Sequence, residues 1–242
     1  MQKKKAFTLA EVLITLGIIG VVAALTIPAL MNKTNDKETV VAVKKAYSIL
    51  SQAYTMAIQD DGPPDTWDLV GPLSEVGAVN VLNQLAPYMK INKNCGITES
   101  GCFYMGNYKT LNGNADESID LGGPWATAII ADGMTMAILI RSDTCTDAPG
   151  STPALKSVCG DIAIDVNGYK RPNIYGKDYF RFHFTKTGII PKGTKDDSGY
   201  PCVGAGAGNG EGCTAWVVYN ENLDYLKSCS STLSWSGPTK CG

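Results

Sequence analysis

Apolar residues follow different rhythms along this chain. From Phe7 to Met31 they run almost without interruption, 25 residues with a single charge, Glu11. At about 1.5 Å per residue a helix of that length reaches about 37 Å, enough to cross a hydrocarbon core of about 30 Å. From Val40 onward the run becomes periodic. Val40, Val43, Tyr47, Leu50, Tyr54 and Ala57 recur at steps of three and four, which places them on one helical face, and Lys44, Lys45, Ser48 and Gln52 fall mostly on the other. The two segments join through NKTNDKE into one helix from residue 8 to 59, with Gly17, Gly20 and Pro28 as its weak points. Asp60-Asp61-Gly62-Pro63-Pro64 stops it. The outer half of this helix has an apolar face that the rest of the chain must cover.

Beyond it the pattern becomes mixed. Residues 73–91 place Val76, Val79, Leu82, Leu85 and Met89 at helical spacing, with Pro87 kinking or restarting the helix. WATAIIADGMTMAILIR reads as a hairpin, two apolar runs around Ala131-Asp132-Gly133 with Asp-Gly supplying a tight turn. DIAIDV is a further strand. In DYFRFHFT, Phe180, Phe182 and Phe184 alternate with Tyr179, Arg181, His183 and Thr185, so the phenylalanines face the core and His183 the other side. TAWVVY reads as a strand and ENLDYL as a turn or short helix. The predicted class is α+β: a long N-terminal transmembrane and stem helix packed on an antiparallel sheet, with loops between.

Charge and local sequence refine the first segment. Lys3 to Lys5 precede it and hold that end on the cytoplasmic side, so the remainder works across the membrane. A carboxylate within a spanning helix is costly and marks a function or a partner; the bland alternative is an interfacial acid that reaches the headgroups. The short basic leader, the small residue Ala6, Phe7-Thr8-Leu9-Ala10-Glu11 and the apolar run together resemble the processing site of type IV prepilins and type II secretion pseudopilins. In that family a membrane peptidase cuts before the Phe and methylates the new amino terminus. The resemblance implies cleavage between Ala6 and Phe7, N-methylation of Phe7, and a role in assembly for Glu11, the fifth residue of the mature chain. Pro28 falls where these helices commonly carry a proline. The family usually has Gly before the cut, where this chain has Ala6. The resemblance covers about 30 of 242 residues and also implies a helix-on-sheet, pilin-like architecture.

The full chain has 21 basic and 23 acidic side chains; without the leader lysines the balance is −5, which gives no reason to expect a nucleic-acid partner. Eight cysteines, Cys95, Cys102, Cys145, Cys159, Cys202, Cys213, Cys229 and Cys241, suit a disulfide framework in an oxidising compartment. Eight allow about 105 pairings. Sequence order offers Cys95–Cys102, Cys145–Cys159, Cys202–Cys213 and Cys229–Cys241, each closing a loop rich in Gly, Ser, Pro or Asp; Cys241 has the alternative of reaching back to staple the tail. Metal ligation is the poorer reading, since there is no Cys-x-x-Cys pair and His183 is the sole histidine.

Catalytic motifs are sparse. No Gly-x-Ser-x-Gly elbow accompanies His183, which reads as a half-exposed sheet residue. The run GAGAGNGEG (204–212) lacks a phosphate-loop register and reads as a loop tip between Cys202 and Cys213. DVNGYKRPNIYGKD gathers the oxygen donors Asp165, Asn167, Asn173 and Asp178 and resembles the start of a calcium loop, though Tyr169 and Gly176 occupy positions where an EF-hand needs ligands. Some pseudopilins bind calcium near this end of the domain. No other cofactor is expected.

The expected organisation is a leader (1–6), a membrane or filament-core helix (7–31), its amphipathic continuation (32–60) and an extracytoplasmic domain (61–242). The resemblance implies a non-enzymatic filament subunit in a bacterial inner membrane, single-pass, its partners the prepilin peptidase and other pilin or pseudopilin subunits. The competing reading is a signal-anchored or secreted binding or adhesion domain, with Val22-Ala23-Ala24 as the signal-peptidase site and Leu25 first in the mature chain.

Overall fold

The computed structural model describes residues 8–98, 101–104, 108–114, 123–197, 201–203 and 209–242, and only the backbone of Ala29, Asn32 and Lys33. The chain forms two compact units, Met1–Glu38 and Thr39–Gly242. A helix α1, Leu9–Asp61, runs unbroken through the boundary. Within the first unit, Leu9–Pro28 is long and apolar enough to cross a membrane, and none of it is buried. The glycines and Pro28 leave α1 intact; Pro28 lacks the N–H that would bond one turn back, and that alone does not break the ladder.

In the second unit α1 turns Val43, Ala46, Leu50, Ala53, Tyr54 and Ala57 into the core. Tyr47 stacks on Phe182 with ring centroids 6.0 Å apart, and the Tyr54 hydroxyl donates to the Thr185 carbonyl. Gly62, at φ +80°, ends the helix by bonding its N–H to the Ile58 carbonyl at 3.0 Å before the two prolines. Ser74 caps α2, Glu75–Leu85, by accepting the Gly77 N–H at 3.0 Å. Ala78, Val81, Leu82 and Leu85 face inward, whereas Val76, expected there, is 59% exposed. Gly77 explains the rotation: a Cβ on it would lie 1.9 Å from the Leu69 carbonyl oxygen, so α2 presents its smallest side to the preceding loop. A 3-10 turn, Ala86–Tyr88, follows around Pro87.

Six strands form one antiparallel sheet in sequence order: β1 Ile91–Gly96, β2 Ala126–Ile130, β3 Thr135–Ile140, β4 Val158–Asp165, β5 Tyr179–Thr185 and β6 Gly188–Pro191. Asp132 (φ +61°) and Gly133 (φ +78°) turn β2 into β3 as the Asp-Gly pair predicts. The edge strands β1 and β6 carry no alternation to announce them: β1 is largely polar with no buried residue, Lys93 guarding the edge, and β6 is four residues ending in Pro191. One face of the sheet, with Met136, Ile138, Ile162, Ile164 and the three phenylalanines, joins Leu50 and Leu82 in the main core. The other is also buried, with Phe103, Tyr108, Trp125, Tyr175 and Tyr179 around Ala137, Leu139 and Ala163.

TAWVVY is not a strand. It belongs to α3, Cys213–Asn220, closed by Glu221 at φ +56°. Residues 213–218 are all buried, so no alternation was there to set a period, and tertiary contacts override the strand preference of Trp and Val. The Ala215 N–H bonds the Lys192 carbonyl at 2.9 Å, Thr214 Oγ1 accepts the Arg181 N–H at 2.9 Å, and Trp216 lies 5.2 Å from Trp235. Disulfides join Cys95 to Cys102, Cys145 to Cys159, Cys202 to Cys213 and Cys229 to Cys241.

Candidate functional site

Three places concentrate polar chemistry. The first is the start of α1. Ala6 and Phe7 lie outside the described residues, but Thr8 and Glu11 form a reciprocal cap. Glu11 Oε2 accepts the Thr8 N–H at 2.8 Å and the Thr8 hydroxyl at 2.8 Å, and the Glu11 N–H reaches Thr8 Oγ1 at 3.3 Å. This is the capping-box spacing, Thr-x-x-Glu, written in the sequence at Thr8 and Glu11. It gives Glu11 a local partner without a cation. Among the described residues Glu11 forms no ion pair, and no Lys or Arg occurs between residues 7 and 32.

The second place is the connection between β4 and β5, where the four oxygen-bearing residues Asp165, Asn167, Asn173 and Asp178 meet. Asp178 Oδ2 accepts the Asn173 N–H at 2.6 Å and the Asn167 side-chain amide at 3.1 Å, and Oδ1 accepts the Ile174 N–H at 2.6 Å. Asp165 Oδ1 accepts the Asn167 N–H at 3.1 Å, and its Oδ2 accepts the Tyr108 hydroxyl at 2.6 Å. Burial first, then the charge of Asp178, pushes Asp165 up to about 8 against the opposing pull of its hydrogen bonds. Burial also raises Asp178. The side-chain oxygens of Asn167 and Asn173 are buried with no hydrogen-bond donor among the described residues. Two carboxylates and two unpartnered amide oxygens are the donor types a hard cation takes. Among the described residues no three His, Cys, Asp or Glu side chains gather to hold a metal.

The third place corrects the reading of His183. It is 3% exposed, not half exposed, because loops cover the second face of the sheet. Its Nδ1 is 3.0 Å from Asp161 Oδ1 and its Nε2 3.1 Å from Asp197 Oδ2. Burial alone would push the imidazolium down, but the two carboxylates overcome it and lift the value to about 9. Asp161 is held well below the usual range: Lys192, His183 and Arg141 outweigh its burial. Arg141 Nε lies 3.0 Å from Asp161 Oδ2. Beside this chain, Glu211 Oε1 accepts from Arg181 at 2.7 Å and from Lys192 at 2.5 Å, and Arg181 lies over the Trp125, Tyr175 and Tyr179 rings. With both ring nitrogens carrying protons, His183 has no lone pair to act as a base at neutral pH. Its partner is readable once register is known, since Asp161 stands directly opposite it on β4. Of the Gly-rich run, 204–208 lie outside the described residues, and the Arg181 and Lys192 partner Glu211 lies within its remainder.

Residues 1–27 match the family model described as the prokaryotic N-terminal methylation motif, the prepilin-type cleavage segment. No curated protein and no solved structure matches this chain. The matched motif and the apolar helical segment Leu9–Pro28 fit a single-pass, membrane-anchored chain.

Proposed function

We propose that this chain is a structural subunit of a filament of the type IV pilus or type II secretion pseudopilus kind. It is cut between Ala6 and Phe7, methylated on Phe7, and assembled through its N-terminal helix with other subunits, its larger unit outside the inner membrane. The observation that carries this reading is a methylation motif on a 20-residue segment of high mean hydropathy, Leu9–Pro28, none of it buried within the chain. Such a surface needs lipid or other copies of itself around it.

Glu11 then serves twice. One carboxylate oxygen closes the cap with Thr8, and the side chain still carries the charge that an unmethylated or methylated Phe7 ammonium of a neighbour neutralises in a dry filament core. Glu11→Gln separates the roles, because Gln also closes a capping box. The variant is expected to insert and persist as monomer while filament yield in the sheared fraction falls. Intact mass should give a wild-type chain beginning at N-methylated Phe7. Assembled filaments of uncut chain, or a mature chain starting at Leu25, would overturn the reading in favour of a signal-anchored or secreted binding domain.

A second element of the reading is calcium at Asp165, Asn167, Asn173 and Asp178. The observation in its favour is the pair of buried amide oxygens without donors. Bound there, the ion would supply charge to a cluster that otherwise keeps two carboxyls above their usual range.

A further inference from the structure

Between Lys45 and Lys90 the chain has no basic residue but five acidic ones, Asp60, Asp61, Asp65, Asp68 and Glu75. Within that stretch the segment linking α1 to α2 follows a strained path. Asp68, Val70 and Leu73 sit at φ +56°, +67° and +58°, a region that a β-branched residue such as Val70 avoids. Strain of this kind persists only where the surroundings impose it, and it gathers at functional surfaces. Here Trp67 and Leu69 are buried, Asn80 Nδ2 holds the Asp68 carbonyl at 2.9 Å, and the Leu73 N–H is fixed to the Ile140 carbonyl at 3.0 Å. The outcome is that Val70 and Leu73 are turned to solvent, each 56% exposed, and Val76 follows them in the first turn of α2 at 59% exposed. Asp68 and Glu75, both exposed, lie close to these residues in sequence, and among the described residues neither carboxylate has an ion-pair partner.

The β4–β5 connection offers the opposite chemistry. Tyr169, Lys170, Arg171 and Pro172 are all exposed, and neither cationic side chain has a partner among the described residues. The finger is rigidly based. Gly168 is buried so tightly that a Cβ on it would lie 2.6 Å from the Gly133 carbonyl oxygen. That contact places the finger beside the turn that begins β3, and the Leu73 bond places the apolar strip at the other end of β3, on Ile140. Thr135 to Ile140 spans about 17 Å of extended chain, so finger and strip stand at opposite ends of one strand and cannot meet within one molecule.

We propose that the Tyr169-Lys170-Arg171 finger of one copy docks on the Val70, Leu73, Val76 strip of the next, its two cations against Asp68 and Glu75. Tyr169 supplies an apolar ring for the valines and leucine, and the charges fix its orientation. A surface at one end of a strand that fits a different surface at the other end is a head-to-tail contact, which repeats without closing unless the rotation happens to form a ring. This inference rests on the filament reading and names one contact between its extracytoplasmic units.

The full-length chain, expressed with its assembly machinery, tests it in three variants: Lys170→Glu with Arg171→Glu, Asp68→Lys with Glu75→Lys, and all four together. Each reversed pair is expected to lower sheared filament yield about tenfold while inserted monomer persists, and the four-fold variant to recover it. Tyr169→p-benzoylphenylalanine should photo-cross-link in filaments to residues 68–76 of another copy. Filaments at wild-type yield from both reversed pairs, no recovery on combining them, or cross-links mapping elsewhere would overturn the contact and leave the filament reading standing. Failure of the wild-type chain to assemble would sink the filament reading, and the contact with it.

Discussion

His183 links the pH dependence of stability to a single buried geometry. Its value of about 9 in the folded chain stands against an ordinary 6.5. At about 1.4 kcal/mol for each pH unit, the difference is worth about 3 kcal/mol of folding free energy. Because the folded value is the higher one, this contribution is complete below pH 6.5, where both states carry the proton, and is lost as pH rises through 9. His183→Gln removes it at every pH and leaves Asp161 and Asp197 flanking a neutral side chain. Loss of one partner from a buried ionic arrangement costs about 3–5 kcal/mol, consistent in size with the titration value. The wild type should therefore exceed the variant by about 3 kcal/mol at pH 6, with most of that gap closing by pH 10. Urea unfolding in detergent, disulfides intact, at a series of pH values gives the difference directly. Asp165 lies outside this contact, is common to both proteins, and cancels from the difference. A gap that stays constant from pH 6 to 10 would refute the doubly carboxylate-bound imidazolium.

Gly77→Ala should lower the melting temperature even though alanine is the better helix former by about 1 kcal/mol, because its Cβ would sit 1.9 Å from the Leu69 oxygen; a net loss of about 2 kcal/mol is expected, and an unchanged or higher melting temperature would show that α2 shifts freely. Calcium should raise the melting temperature of the wild type, by about 2.7 kcal/mol of stability at a hundredfold excess over Kd, but not that of Asp178→Asn. No difference between calcium and chelator for the wild type would remove the ion from the β4–β5 connection.

What the sequence made legible was whatever a clean period could encode. The three-and-four spacing from Val40 to Ala57 found the buried face of α1, and Phe180, Phe182 and Phe184 found the core face of β5. Asp132-Gly133 marked its turn because few other residues adopt both positive φ values cheaply. Where both sides of an element are buried, period disappears. α3 misleads for that reason, and so does His183, whose strand alternates correctly while loops, not water, cover its second face. Edge strands fail in the opposite way, since β1 is largely polar and none of its residues is buried. At Val76 the hydrophobic spacing was sound but the smallest residue, Gly77, decided the helix rotation. The Thr8–Glu11 cap was fully written in four residues, and only the weight given to a charge near a membrane hid it.

The distribution of exposed apolar side chains ties these elements to assembly. Removal of apolar side chains from water forms the larger unit's core, and a patch of apolar side chains left outside it marks a surface that something else covers. Among the described residues outside the membrane-capable segment and those just after it, the large apolar side chains left exposed are Val41, Met56, Val70, Leu73, Val76, Ile97, Tyr169 and Tyr219. Four of these eight lie toward the two ends of β3: Val70 and Leu73 on the strained loop, Val76 in the first turn of α2, and Tyr169 on the basic finger. Scatter of single residues would need no account; Val70 and Leu73, exposed on a backbone path held at positive φ, do. The same reasoning applies to Leu9–Pro28, whose exposure has no local compensation at all. Both surfaces demand a neighbour, and they differ in what they select. The apolar helix accepts lipid and helix alike. The finger and strip, with opposed charges on rigid supports, discriminate among neighbours and can set orientation after the helices have come together.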